Sequence, residues 1–113
     1  MKVAAVMEFQ AEMPLMDISV LYVEDDSSSR LAIAHMLARR VSQVYTAEDG
    51  LAGLEVFKAK RPALVISDVM MPRMDGCAMC REIMALDPEV KIIMHRRRPL
   101  HSRLRSSWLY LQS

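Results

Sequence analysis

The sequence predicts a doubly wound α/β domain, a parallel sheet with helices packed on both faces. Three observations predict it. Short apolar runs rich in β-branched residues recur at 18–23, 44–46, 63–67 and 90–94. Segments of helical length and spacing fill the gaps between them, and that alternation calls for parallel strands joined by crossovers. Two of the runs end directly on acids: Glu24, Asp25 and Asp26 after the first, Asp68 after the third. Open α/β sheets bind their ligands at the edge formed by the C-terminal ends of the strands.

Each element has its own signal. After the first run, Ser27, Ser28 and Ser29 offer helix caps, and Leu31, Ala34, Leu37, Ala38 and Val41 recur at helical spacing. Val44, Tyr45 and Thr46 make a short second strand. Asp49-Gly50 opens a second helix with Leu51, Leu54 and Phe57 on one side, and Pro62 breaks it. Leu64, Val65 and Ile66 read as a strand buried on both faces. Pro72 and Gly76 shape the loop that follows Asp68, and Asp75 is placed to cap the third helix. That helix sets Met79, Ile83 and Leu86 on one face and closes at Asp87-Pro88, before the fourth strand.

Composition limits the function classes. With 113 residues the chain holds one domain and a modest core. A hydrophobic fraction of 52% beside a charged fraction of 26% is that of a soluble globular chain, and no apolar run has the length of a membrane span. Residues 1–17 carry one lysine and three acids, so they read as a short leader and not a secretion signal; the expected location is the cytoplasm. Cys77 and Cys80 form a lone C-x-x-C inside one predicted helix. With no second ligand pair in the sequence, two helical thiols kept reduced are favoured over a zinc or redox motif. His35 reads as a surface or half-buried helix residue, and the 11 methionines mostly as core and gap filler.

The acids carry the chemistry. If the first and third strands are neighbours, Glu24, Asp25 and Asp68 meet in one shallow pocket. Like charges that close repel unless a cation lies among them. A hard divalent ion such as Mg²⁺ takes oxygen ligands and keeps several waters, which suits such a pocket. The alternative is three solvated loop acids that never meet.

Leu21-Tyr22-Val23-Glu24-Asp25-Asp26, then Asp49-Gly50, then Ser67-Asp68-Val69-Met70-Met71-Pro72-Arg73-Met74-Asp75-Gly76, together resemble the CheY-like receiver domain of bacterial response regulators. The resemblance covers about residues 18–94. It implies a flavodoxin-like fold with strand order 2-1-3-4, the family's fifth strand and last two helices being missing or replaced. It implies that Asp68 accepts a phosphoryl group, that Asp25 and Glu24 hold Mg²⁺ (Glu24 partly through water), and that the Met70 backbone carbonyl completes the metal site. Asp26 falls at a variable position and reads as a bystander. The implied partners are a sensor histidine kinase or phosphotransfer protein and, in a homodimer, a second receiver; the implied role is that of a phosphorylated signalling module, not an enzyme. The alternative function is a truncated, non-switching interaction module that docks a kinase or receiver without regulated phosphorylation.

Departures from the family fall at the end of the chain. Receivers carry Ser or Thr where Arg96 stands and a lysine at the end of strand five, whereas no lysine follows Lys91. Both family side chains contact the phosphoryl group, so switching is expected to be impaired. Charge changes at the same place: residues 1–94 carry a net −4, and 95–113 carry five arginines and no acid. That basic tail is expected to be an out-of-frame or truncated end, with a bare strand edge and a marginal, aggregation-prone domain as the consequence. The competing readings are an amphipathic helix carrying Leu100, Leu104, Trp108 and Leu111 over that edge, and, less favoured, a nucleic-acid contact.

Overall fold

The computed structural model describes residues 15–96 and 107–112. Five strands form one sheet in the order β2-β1-β3-β4-β5. They are β1 (Met16–Val23), β2 (Val41–Ala47), β3 (Leu64–Asp68), β4 (Lys91–Arg96) and β5 (Ser107–Gln112). Helices α1 (Ser27–Ala38), α2 (Gly50–Lys60) and α3 (Gly76–Leu86) join the first four. Those four pair parallel, with Val20 opposite Leu64 and Val23 opposite Ser67 across β1 and β3. The parallel order 2-1-3-4 is the one the sequence led us to expect.

Two apolar clusters sit on the two faces of the sheet. Leu21, Val23, Val65, Ile92 and Met94 pack with Leu54 and Phe57 of α2 and Met79, Cys80 and Ile83 of α3. On the other face, Val20, Tyr22, Val41 and Ile66 meet Ile33 and Leu37 of α1. Alternate residues along β1 therefore feed opposite faces, as the period of a strand requires. Burial of a side chain such as Phe57, fully enclosed, is worth roughly 2–3 kcal/mol.

Several local expectations need correction. Val41, placed on the first helix by its spacing, is the first residue of β2 and is buried. Leu31 is 61% exposed, and Ile33 takes the inward position with Leu37. Leu51 and Leu86 are also exposed, so α2 turns Gly53, Leu54 and Phe57 inward and α3 turns Met79, Cys80 and Ile83 inward. Strand β1 begins at Met16, inside the segment read as a leader; residues 1–14 of that leader lie outside the described residues.

The edge of β4 is not bare. Strand β5 pairs with it antiparallel, from Lys91 opposite Gln112 to Arg96 opposite Ser107. The competing reading of a helix over Leu100, Leu104, Trp108 and Leu111 is therefore overturned for its last turns, because Trp108 and Leu111 lie on a strand. Leu100 and Leu104 lie outside the described residues. Geometry explains the reversed direction. Ten residues, 97–106, separate the two strands, and a parallel return needs a crossover of a dozen residues or more.

The two thiols of α3 differ in their surroundings. Cys80 is buried against Met94, with Sγ 3.3 Å from Sδ, and Cys77 is exposed. Burial, and secondarily the nearby Cys77, push the Cys80 thiol up to about 12. The folded chain thus holds this proton where the unfolded chain, near the ordinary 9.0, has lost it. Stability contributed here is complete below pH 9 and is lost as pH rises from 9.0 towards about 12. Iodoacetamide at pH 8 is expected to alkylate Cys77 alone in the native protein and both thiols in urea, as read by mass spectrometry.

Candidate functional site

The C-terminal ends of β1 and β3 are built side by side. Because Val23 lies opposite Ser67, the next residues along, Glu24 and Asp68, stand at adjoining strand ends. The Glu24 amide donates to the Ala47 carbonyl at 3.0 Å, tying the end of β1 to β2. The Val69 amide donates to the His95 carbonyl at 3.0 Å, tying the end of β3 to β4. The acids thus hang from a closed hydrogen-bonded ladder and not from free loops.

Glu24, Asp25 and Asp68 come together. Each offers a carboxylate oxygen, and the three oxygens lie within 4.8 Å of one another. Glu24 and Asp68 are buried and Asp25 is exposed, so the pocket has two enclosed anions and one facing water. Neighbouring ligands on an octahedral Mg²⁺, at roughly 2.1 Å from the ion, are about 3.0 Å apart and opposite ones about 4.2 Å. Three hard oxygen donors within 4.8 Å of one another suit such an ion once the side chains draw in around it, or with one carboxylate acting through water. The reading of three solvated acids that never meet is excluded.

The supporting contacts were not all visible in the sequence. Glu24 Oε2 accepts from the Asp26 amide at 3.1 Å, and the Tyr22 hydroxyl lies 3.5 Å from Glu24 Oε1. Tyr22 sits two residues before Glu24, so strand periodicity was the signal for it. Arg30 Nη1 donates to the Glu24 carbonyl at 2.8 Å, clamping the β1–α1 turn from inside the helix. Asp26, read as a bystander, is the N-cap of α1: its Oδ2 accepts from the Ser29 amide at 2.8 Å. The serines expected to cap stand inside the helix.

The loop after Asp68 is held at both ends. Ser67 Oγ donates to the Asp68 carbonyl at 2.8 Å, and the Met70 amide lies 3.4 Å from Asp68 Oδ1. Met70 is 68% exposed. At the far end, the Gly76 amide donates to the Val69 carbonyl at 2.8 Å. Asp75 caps α3 as expected, accepting from the Ala78 amide at 2.8 Å. His35 is exposed on α1.

Comparison with known proteins assigns this arrangement. The family model described as response regulator receiver domain matches residues 20–98, most of the chain. The chain belongs to the response regulator receiver family. Among curated relatives, the receiver is 47% identical over 64 residues to the transcriptional regulatory protein CseB of Streptomyces avermitilis, covering 57% of this chain and 27% of that one. It is 33% identical over 79 residues to the response regulator MprA of Mycobacterium sp. (strain KMS), covering 70% of this chain and 34% of the other. It therefore spans about a third or less of the length of these relatives. Among solved structures, a response regulator receiver domain from Clostridium thermocellum superposes with a TM-score of 0.64 at 28% identity, covering 67% of this chain and 62% of that one. The receiver domain of the hybrid histidine kinase CckA gives 0.60 at 30% identity, covering 66% and 70%. No helix among the described residues of the receiver is long and apolar enough to cross a membrane.

Proposed function

We propose that this receiver accepts a phosphoryl group on Asp68 from a histidine kinase or phosphotransfer protein, with Mg²⁺ held by Glu24, Asp25, Asp68 and the Met70 carbonyl. The observation that carries it is the convergence of three carboxylate oxygens within 4.8 Å at the strand ends. An Asp68 carboxylate oxygen attacks phosphorus, the new P–O bond forms, and the P–N bond to the donor imidazole breaks. Phosphoryl transfer asks chiefly for alignment and neutralised charge, and Mg²⁺ in this pocket supplies the neutralisation. Asp68 is fixed by the β1–β3 and β3–β4 pairing, so the acceptor is aligned before a donor arrives. Asp25, exposed, lines the side from which ion and donor enter.

In this reading the module is the substrate of a kinase and not itself an enzyme, and it works in the cytoplasm. The docking-only alternative leaves the convergence of the acids without a use. Beryllofluoride, a phosphoryl mimic, tests the proposal with Mg²⁺ present. Amide signals of residues 24–26 and 68–70 are expected to move together in the wild type and to stay still in Asp68→Ala. Movement that survives Asp68→Ala, or none in either protein, would count against it.

A further inference from the structure

Arg73 is an odd residue for an exposed loop. Its backbone takes φ 69°, the left-handed region that a non-glycine residue enters uncommonly and keeps when its surroundings hold it there. Arg73 Nε lies 3.0 Å from Asp49 Oδ2, and the Asp49 carboxylate is buried while the arginine is half exposed. The other oxygen of Asp49 caps α2, accepting from the Ala52 amide at 2.8 Å. Next along the loop, the Met74 carbonyl accepts from the Gly50 amide at 3.1 Å. The approach is so close that a Cβ on Gly50 would overlap that carbonyl oxygen. The β3–α3 loop is thus fastened mid-span to the first turn of a helix that carries none of the acidic site.

We propose that Arg73 and Asp49 are a positioning pair: their ion pair pins the loop so that the Met70 carbonyl faces the acids, and through it sets Mg²⁺ affinity. This rests on the phosphoacceptor reading for the metal and on the structure alone for the loop. Asp49 serves α2 with one oxygen and the loop with the other, so the two functions separate by mutation. Asp49→Asn keeps a cap acceptor and loses the charge. Arg73→Ala loses the pair and leaves the cap intact. Arg73→Lys keeps a charge but gives up the planar guanidinium.

Two measurements on the full chain test it. In metal-free buffer, hydrogen exchange at the Met70 and Gly50 amides is expected to speed up in Arg73→Ala and Asp49→Asn while amides of β1 and β3 keep their protection. In an NMR titration with Mg²⁺ alone, both variants are expected to bind roughly three- to tenfold more weakly than wild type at low salt, with Arg73→Lys between. The gap is expected to shrink at high salt, where a half-exposed pair is screened, which a purely steric packing role would not do. Unchanged loop exchange together with unchanged Mg²⁺ affinity would overturn the proposal. If wild type itself took up no Mg²⁺ while the loop still loosened in Arg73→Ala, the pinning would stand and the phosphoacceptor reading would fall.

Discussion

Asp68→Asn is expected to abolish phosphoryl acceptance while making the metal-free protein more stable. The exchange is nearly isosteric, and an amide oxygen can still accept from the Met70 amide, whose partner in the wild type is Asp68 Oδ1 at 3.4 Å. The fold therefore survives. The carboxylate nucleophile is gone, so incorporation from a small acyl phosphate donor is expected to fall to background, as read by intact mass. One of three converging acids also loses its charge. Without a cation, Glu24 and Asp68 are two buried anions at one strand edge, and removing one is expected to relieve about 1 kcal/mol of repulsion. Mg²⁺ raises the melting temperature of any protein whose native state alone binds it. Such a rise is expected for wild type and is expected to be mostly lost in Asp68→Asn. A residue that destabilises the resting fold yet is needed by the bound one is the mark of a site kept for function.

Gly76→Ala is expected to be strongly destabilising although it adds a single methyl group. Gly76 begins α3 directly under the acceptor strand, and a Cβ there would overlap the Asp68 carbonyl oxygen and sit 3.0 Å from Met94 Cε. The obstacle is backbone held by the β3–β4 ladder, so relief requires moving Asp68 itself. A loss of roughly 2–4 kcal/mol is expected, a drop of roughly 10–25 °C in melting temperature for a domain of this size. Gly53→Ala is the contrasting case. Its Cβ would meet Met79 Sδ at 2.6 Å and Val23 Cγ2 at 3.0 Å, side-chain atoms that can shift by tenths of an ångström without moving the sheet backbone, and alanine gains roughly 0.5–1 kcal/mol over glycine inside a helix. Its net effect is expected to stay within about 1 kcal/mol. Parallel thermal melts of the two variants separate a backbone collision from a side-chain one.

The acceptor site was legible because its signals are local and chemically distinct. Apolar strands that end on Glu24, Asp25 and Asp68 fix the sheet edge, and parallel pairing does the rest. Asp26 was read as a bystander because it falls at a variable position of the family, whereas it caps α1. The first helix was read on Leu31 when Ile33 faces inward, since alanines between the larger residues leave either stripe open. Val41 continued the helical spacing by coincidence, although a valine after two arginines is equally a strand start. The Arg73–Asp49 pair had no sequence signal, because 24 positions separate its members and only the folded loop joins them. The competing helix reading of the tail failed for a different reason. Spacings of four, four and three between Leu100, Leu104, Trp108 and Leu111 suit a helix, but Trp108, Leu109, Tyr110 and Leu111 are also a strand-forming run. The open edge of β4 decided between them.

The proposed function depends on Glu24, Asp25 and Asp68 sharing one cation. An NMR titration of the full chain with Mg²⁺ through the millimolar range measures this directly. The expected result is a saturable shift of the amides of residues 24–26 and 68–70, fitted by one dissociation constant and lost in Asp25→Asn. Amide signals at these positions that stay fixed, or that drift without saturating and do so equally in Asp25→Asn, would contradict a shared metal site.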